Sequence, residues 1–194
     1  MKFQLQSLSY LFIAGLIGFT SCKKDDEDSK PVKVLPTSYT AKLVGAQSNA
    51  AGSFFSPKTG LVYFTGDSVN FVANSVDFSF AQTGSPITSP KFVSLSERKD
   101  EGLTRVTSIA RLTNFSASTL TKAEFDTVGN VYVQNEVAGT LPTVTIAQSK
   151  VYEFTNAEGK SGLIYVSNYD AGSISAVTGL FTNGSVTIDV KFEK

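Results

Sequence analysis

Apolar and polar positions alternate with period two along much of the chain. The clearest case is the C-terminus, where Val186, Ile188, Val190 and Phe192 alternate with Thr187, Asp189, Lys191 and Glu193. A strand turns successive side chains to opposite faces, so this pattern predicts one buried and one wet face. Val76, Phe78 and Phe80 alternate with Asp77, Ser79 and Ala81 in the same manner. So do Val144 and Ile146 with Thr143 and Thr145, and Val131 and Val133 with Tyr132 and Gln134. Asn183-Gly184 reads as a type I′ turn and implies that residues 174–181 hold the hairpin partner of the last strand. A second hairpin is expected from residues 150–154 and 162–166, which flank Asn156-Ala157-Glu158-Gly159. The run Leu163-Ile164-Tyr165-Val166 lacks alternation, as expected of a central strand covered on both faces.

A few segments break the pattern. Thr121-Lys122-Ala123-Glu124 has capping-box spacing, which predicts a short helix over residues 118–128. Residues 105–112 fit a strand or a helix equally. Glu97-Arg98-Lys99-Asp100-Glu101-Gly102 reads as a charged loop. Short strands at roughly ten-residue spacing, punctuated by 15 glycines, predict a mainly β chain folded as an antiparallel β-sandwich with one or two short helices. An α+β sheet with helices on one face is the alternative. Fifteen Phe and seven Tyr provide large buried areas although Trp is absent.

The N-terminus follows a different logic. Met1-Lys2 and a polar stretch lead into Leu11-Phe12-Ile13-Ala14-Gly15-Leu16-Ile17-Gly18-Phe19. Crossing a bilayer as a helix takes roughly twenty apolar residues, so this run is too short to span and fits a secretory signal peptide. Gly18-Phe19-Thr20-Ser21-Cys22 resembles the lipobox of bacterial lipoproteins, with Phe19 in place of the commonest Leu, as in the looser lipoboxes of Bacteroidetes. The resemblance implies that Cys22 carries a diacylglyceryl thioether and becomes the mature N-terminus, anchored to the membrane without spanning it. Lys24, Asp25, Asp26, Glu27 and Asp28 resemble the surface-export signal of Bacteroidetes lipoproteins, against the plainer reading of a solvated tether. The chain then divides into a signal peptide (1–21), a lipidated cysteine with a charged flexible tether (22–36) and one β-rich domain (37–194). The expected address is the outer membrane, facing the cell exterior, with a periplasm-facing location as the alternative. The C-terminal strands and Gly45-Ala46-Gln47-Ser48-Asn49 with Gly52-Ser53-Phe54-Phe55 are similar to those of uncharacterised Bacteroidetes surface lipoproteins, a likeness that brings no activity with it.

Composition narrows the chemistry. Seventeen basic and 17 acidic residues give no net charge, so the electrostatic footprint of a nucleic-acid binder is missing. There is no His and one Cys, which removes imidazole bases, His metal ligands, Ser-His-Asp and Cys-His constellations, and any intrachain disulfide. Gly159-Lys160-Ser161 ends like a phosphate-binding loop, but position 154 is Phe where that loop needs Gly. No loop has EF-hand spacing, and neither metal nor cofactor is expected. A two-carboxylate glycosidase could draw on Asp67, Asp77, Asp126 or Glu136, with nothing in the sequence to choose among them. Tyr132, Tyr165 and Tyr169 could serve as carbohydrate platforms. Asp67-Ser68-Val69 and Asp126-Thr127-Val128 resemble the short O-glycosylation motif of Bacteroidetes exported proteins, which implies Ser68 and Thr127 as acceptors. The expectation is a non-catalytic binding or accessory module for a glycan, a peptide or a partner lipoprotein. The alternative is a His-free surface hydrolase.

Overall fold

The computed structural model describes residues 32–46, 50–82, 90–98, 111–128, 131–133, 141–174, 181–182 and 184–193. Its first strands are β1 (Val32–Val34), β2 (Thr37–Gly45), β3 (Phe54–Ser56), β4 (Leu61–Tyr63), β5 (Phe78–Ala81), β6 (Lys91–Ser94) and β7 (Asn114–Ala117). Helix α1 (Lys122–Thr127) precedes β8 (Val131–Val133), β9 (Thr143–Thr145), β10 (Val151–Thr155) and β11 (Ser161–Asp170). Then come β12 (Ser173–Ile174), β13 (Phe181–Thr182) and β14 (Ser185–Phe192). Two five-stranded antiparallel sheets result, sheet I in the order β2-β14-β11-β10-β7 and sheet II in the order β4-β3-β5-β6-β9. The protein is an antiparallel β-sandwich, as the alternation predicts.

The sheets are packed through aromatic rings. Phe78 on β5 lies 5.4 Å from Phe55 and from Phe92 within sheet II, and 5.7 and 5.6 Å from Phe115 and Phe154 of sheet I. Val186, Ile188, Val190 and Phe192 of β14 are buried in the same core, while their alternate neighbours are partly exposed. The hairpin of β10 and β11 forms as expected, with Gly159 supplying the positive φ of the turn. Sandwich seams are tied on both sides. Phe115 N–H donates to the Leu141 carbonyl at 2.8 Å, and Tyr39 Oη donates to the Lys58 carbonyl at 2.9 Å.

Each sheet is also covered on its outer face. On sheet I, Val151, Leu163 and Tyr165 lie under Phe125 of α1 and Leu35, so β11 is covered on both faces as its unbroken apolar run predicts. On sheet II, Phe54 and Val76 lie under Phe71 and Leu95, which follow or begin 3-10 turns at Thr65–Asn70 and Leu95–Glu97. The helix is shorter than the expected 118–128. Thr121 Oγ1 accepts from Glu124 N–H at 3.3 Å, while Glu124 Oε2 accepts from Thr121 N–H at 2.7 Å. That capping box starts the helix at Lys122, and Ser118 is instead bonded to the Val151 carbonyl of β10.

Three further expectations change. The partner of β14 is β11 on one side and β2 on the other, not the 174–181 region, where Ile174 pairs with Phe181. A type I′ turn needs positive φ at both central residues, and Gly184 lacks it. Its role is close packing, since a Cβ there would collide with Gln82 Oε1. The alternate positions of this segment are not wet: Asp77 is buried against Arg111 and Asn156, and Ser79 against Arg98. The stretch read as a tether to residue 36 already contains β1, paired with β8, and the buried Leu35. Residues 105–110, which fit strand or helix, lie outside the described residues; Arg111 and Leu112 are in neither.

Two backbone positions carry measurable consequences. Ala41 sits at φ +50 in a bulge of β2, where its N–H donates to Asp189 Oδ1 at 2.8 Å. A Cβ in the left-handed region costs about 1–2 kcal/mol, so Ala41→Gly is expected to raise stability by about 0.5–1 kcal/mol after its entropy cost in urea unfolding. A Cβ on Gly162 would collide with the Phe154 ring and come within 2.7 Å of the Lys191 carbonyl. Gly162→Ala is therefore expected to lose about 1–3 kcal/mol in the same measurement, and an unchanged midpoint would contradict the packing.

Candidate functional site

The densest polar constellation grows out of strand alternation. Asp77 directly precedes β5, whose Phe78 and Phe80 point into the core, and it is 0% exposed. Its Oδ1 accepts from Arg111 Nη2 at 2.5 Å and its Oδ2 from Asn156 Nδ2 at 2.9 Å. Arg111 also donates from Nε to the Val76 carbonyl and from both terminal nitrogens to Glu158 Oε1, each at 3.2 Å. Asn156 and Glu158 belong to the β10–β11 turn, where Asn156 Oδ1 accepts the N–H groups of Glu158 and Lys160. Thr113 Oγ1 donates to the Asp77 carbonyl at 2.8 Å. The cluster thus fastens β5, the approach to β7 and the β10–β11 turn.

Burial pushes the Asp77 carboxyl above the usual carboxylate range; hydrogen bonds from Arg111 and Asn156 and the Arg111 charge oppose this, and the Glu158 charge adds to it. For Arg111, burial alone would lower its pKa, but Asp77 and Glu158 outweigh that and raise it. A sealed carboxylate has no approach for a substrate. The arrangement joins parts of the fold, and it does not place two free acids across a bond to be cleaved.

The other sequence candidates are dispersed. Asp67 Oδ2 accepts the Phe64 N–H at 2.9 Å and caps the 3-10 turn. Asp126 is an exposed ion-pair partner of Lys122 on α1. Glu136 lies outside the described residues, as do Cys22, Lys24, Asp25, Asp26, Glu27 and Asp28. Ser68 is buried in the 3-10 turn, whereas Thr127 is exposed at the end of α1, with Oγ1 donating to the Glu124 carbonyl at 3.0 Å. Tyr165 is buried beneath Phe125, and Tyr169 packs on Phe80 while its hydroxyl accepts from Gln82 Nε2. The Tyr132 side chain lies outside the described residues. Gly159-Lys160-Ser161 is a turn entering β11. Among the described residues, no three His, Cys, Asp or Glu side chains gather as a metal would require.

Two residues escaped the sequence reading. Arg98, expected in a charged loop, is 1% exposed, with Nη1 donating to Ser79 Oγ at 3.1 Å and to the Phe80 carbonyl at 2.7 Å. Its guanidinium lies 5.7 Å from the Phe54 ring centre, a cation-π contact that suits a weakly hydrated planar cation. Lys191, on the wet side of β14, reaches the end of α1 and donates to the Asp126 and Val128 carbonyls; burial lowers its pKa. Comparison of the chain with protein-family models, curated proteins and solved structures finds no match.

The ion pair yields a pH-dependent expectation. The fold binds the Asp77 proton more tightly than the unfolded chain does, so this group's contribution is largest at low pH and is lost as pH rises through its folded pKa. Arg111→Met strands a buried carboxylate, and the expected loss near pH 7 is about 3–5 kcal/mol. At an acid pH where Asp77 is protonated, the loss should be markedly smaller. Equal losses in urea unfolding at both pH values would show that Asp77 does not titrate in this way.

Proposed function

We propose that the chain is a bacterial outer-membrane lipoprotein that displays a non-catalytic β-sandwich on the cell exterior, as a binding or accessory module for a glycan, a peptide or a partner lipoprotein. The observation that carries this reading is Cys22, the sole cysteine of the chain, placed directly after a short apolar run and small residues in lipobox order. A thiol forms the thioether, and no second thiol competes for it. Lys24 and the acids Asp25, Asp26, Glu27 and Asp28 follow at once and support the exterior address. The non-catalytic part rests on the carboxylates: Asp67 caps a turn, Asp77 is locked to Arg111, and Asp126 pairs with Lys122. Ser68 and Thr127 remain proposed glycosylation acceptors, with Thr127 the accessible one in the folded domain.

Cys22→Ser tests the anchor. Incorporation of labelled fatty acid should be lost, while the domain, which contains no cysteine, keeps its β-type circular dichroism. Unchanged labelling of the Cys22→Ser chain would overturn the lipoprotein reading. Replacing Asp25, Asp26, Glu27 and Asp28 by Ala should leave labelling intact but abolish digestion by external protease in whole cells. Retained digestion would reduce the acidic run to a tether.

A further inference from the structure

We propose that the β10–β11 turn is an acid-released latch, docked while Asp77 is a carboxylate and undocked from the Asp77–Arg111 pair when Asp77 takes up a proton. The reasoning is stereochemical. Oδ1 of Asp77 meets Nη2 of Arg111 and Oδ2 meets Nδ2 of Asn156, so each oxygen faces an N–H donor. A carboxylate accepts from both, whereas a carboxylic acid is itself a donor at one of its oxygens. Asp77 is fully buried, so in the docked state a proton added there points at another donor, and a buried polar contact of that kind is costly. Of the two contacts, the one to Asn156 gives way. The Arg111 bond is charge-assisted, and the same guanidinium is held by the Val76 carbonyl and by Glu158. The proton therefore settles on Oδ2, against the neutral amide.

An unconstrained asparagine would turn its amide over and offer an oxygen to that proton. Here Asn156 Oδ1 already accepts the N–H groups of Glu158 and Lys160 at 3.0 and 2.9 Å, so turning it over breaks two bonds to mend one. The turn is also closed on itself, with Asn156 N–H donating to the Lys160 carbonyl and Gly159 N–H to the Asn156 carbonyl. The conflict is thus relieved by moving the turn as a unit. Little else holds it in place. Glu158 is 45% exposed, and its bonds to Arg111 and to Ser75 Oγ are 3.2 and 3.4 Å long. The strands behind remain paired from Thr155 with Ser161 to Val151 with Tyr165, which confines the motion to the turn. Among the described residues, the charged groups acting on Asp77 are Arg111, which favours the carboxylate, and Glu158, which opposes it. Burial opposes it more strongly and brings the proton on above the ordinary carboxylate range. Undocking admits water to the acid and to Arg111.

A pair of nitroxide labels reads the latch. The full chain in detergent carries Cys22→Ser, so that the outcome is independent of lipid attachment, together with Val72→Cys and Ala157→Cys at two exposed positions. Double electron–electron resonance should give a short label-to-label distance at neutral pH. That distance should shift reversibly to longer values in acid, with β-type circular dichroism unchanged. Asp77→Asn places a neutral donor where the protonated acid would be, and it should show the long distance at both pH values. Asn156→Asp should reverse the response. Two facing carboxyls share a proton in acid and repel once both ionise, so its distance should be short in acid and lengthen as pH rises. Should Asp77→Asn fail to fold, the Asn156→Asp comparison decides alone. The proposal is overturned by a distance that does not change with pH, by a short distance retained in Asp77→Asn, or by an Asn156→Asp chain that responds in the original direction. Loss of the β signal in step with the distance would equally overturn it, since the motion would then be global unfolding.

Discussion

Phe78 touches four other phenylalanines, two in its own sheet and two across the sandwich. Such contacts carry both the area term of aromatic burial and the edge-to-face preference of the rings. They place β5 at the middle of sheet II and set its inward face. Because side chains alternate along a strand, the same placement fixes where Asp77 and Ser79 must go. A register slip of one residue would exchange Phe78 for Asp77 in the core, so register is strongly specified here.

The polar chemistry of sheet II follows from that constraint. With both side chains fully buried, Asp77 needs compensating charge and Ser79 needs a partner. Arg111 and Arg98 supply them from separate segments; Arg98 also reaches the Phe80 carbonyl of β5, and Arg111 the Val76 carbonyl just before β5. Buried pairs of this kind seldom add net stability against an apolar substitute, but breaking one partner is costly. Asp77 and Arg111 therefore act as a condition on correct assembly: β5, the approach to β7 and the β10–β11 turn must all be in place before either charge is satisfied.

Sheet I solves the equivalent problem with apolar groups. Leu35 and Phe125 cover its outer face over Val151, Leu163 and Tyr165, and Lys122 and Lys191 lay their ammonium groups over the Phe125 ring, with Lys122 also over Tyr165. This cover includes the point where the chain enters the domain. The absence of cysteine after position 22 leaves packing and hydrogen bonding to hold the sandwich together.

The strand content, the doubly covered β11, the buried face of β14 and the Thr121 capping box were legible in the sequence, since each depends on neighbours within a few residues. The lipoprotein proposal draws on an equally local signal, the short apolar run that ends before Cys22. Which strand lies beside which was not legible in Asn183-Gly184, because close packing against Gln82 and pairing with β11 and β2 outweighed its turn preference. Nor was the burial of Asp77 and Arg98. An acid alternating with Phe and Val looks like a wet position until a distant segment covers it, and an arginine in a charged run looks solvated until it meets Ser79, Phe80 and Phe54. Local alternation determines which side chains share a face. Only the tertiary packing of segments far apart in the chain decides whether that face meets water.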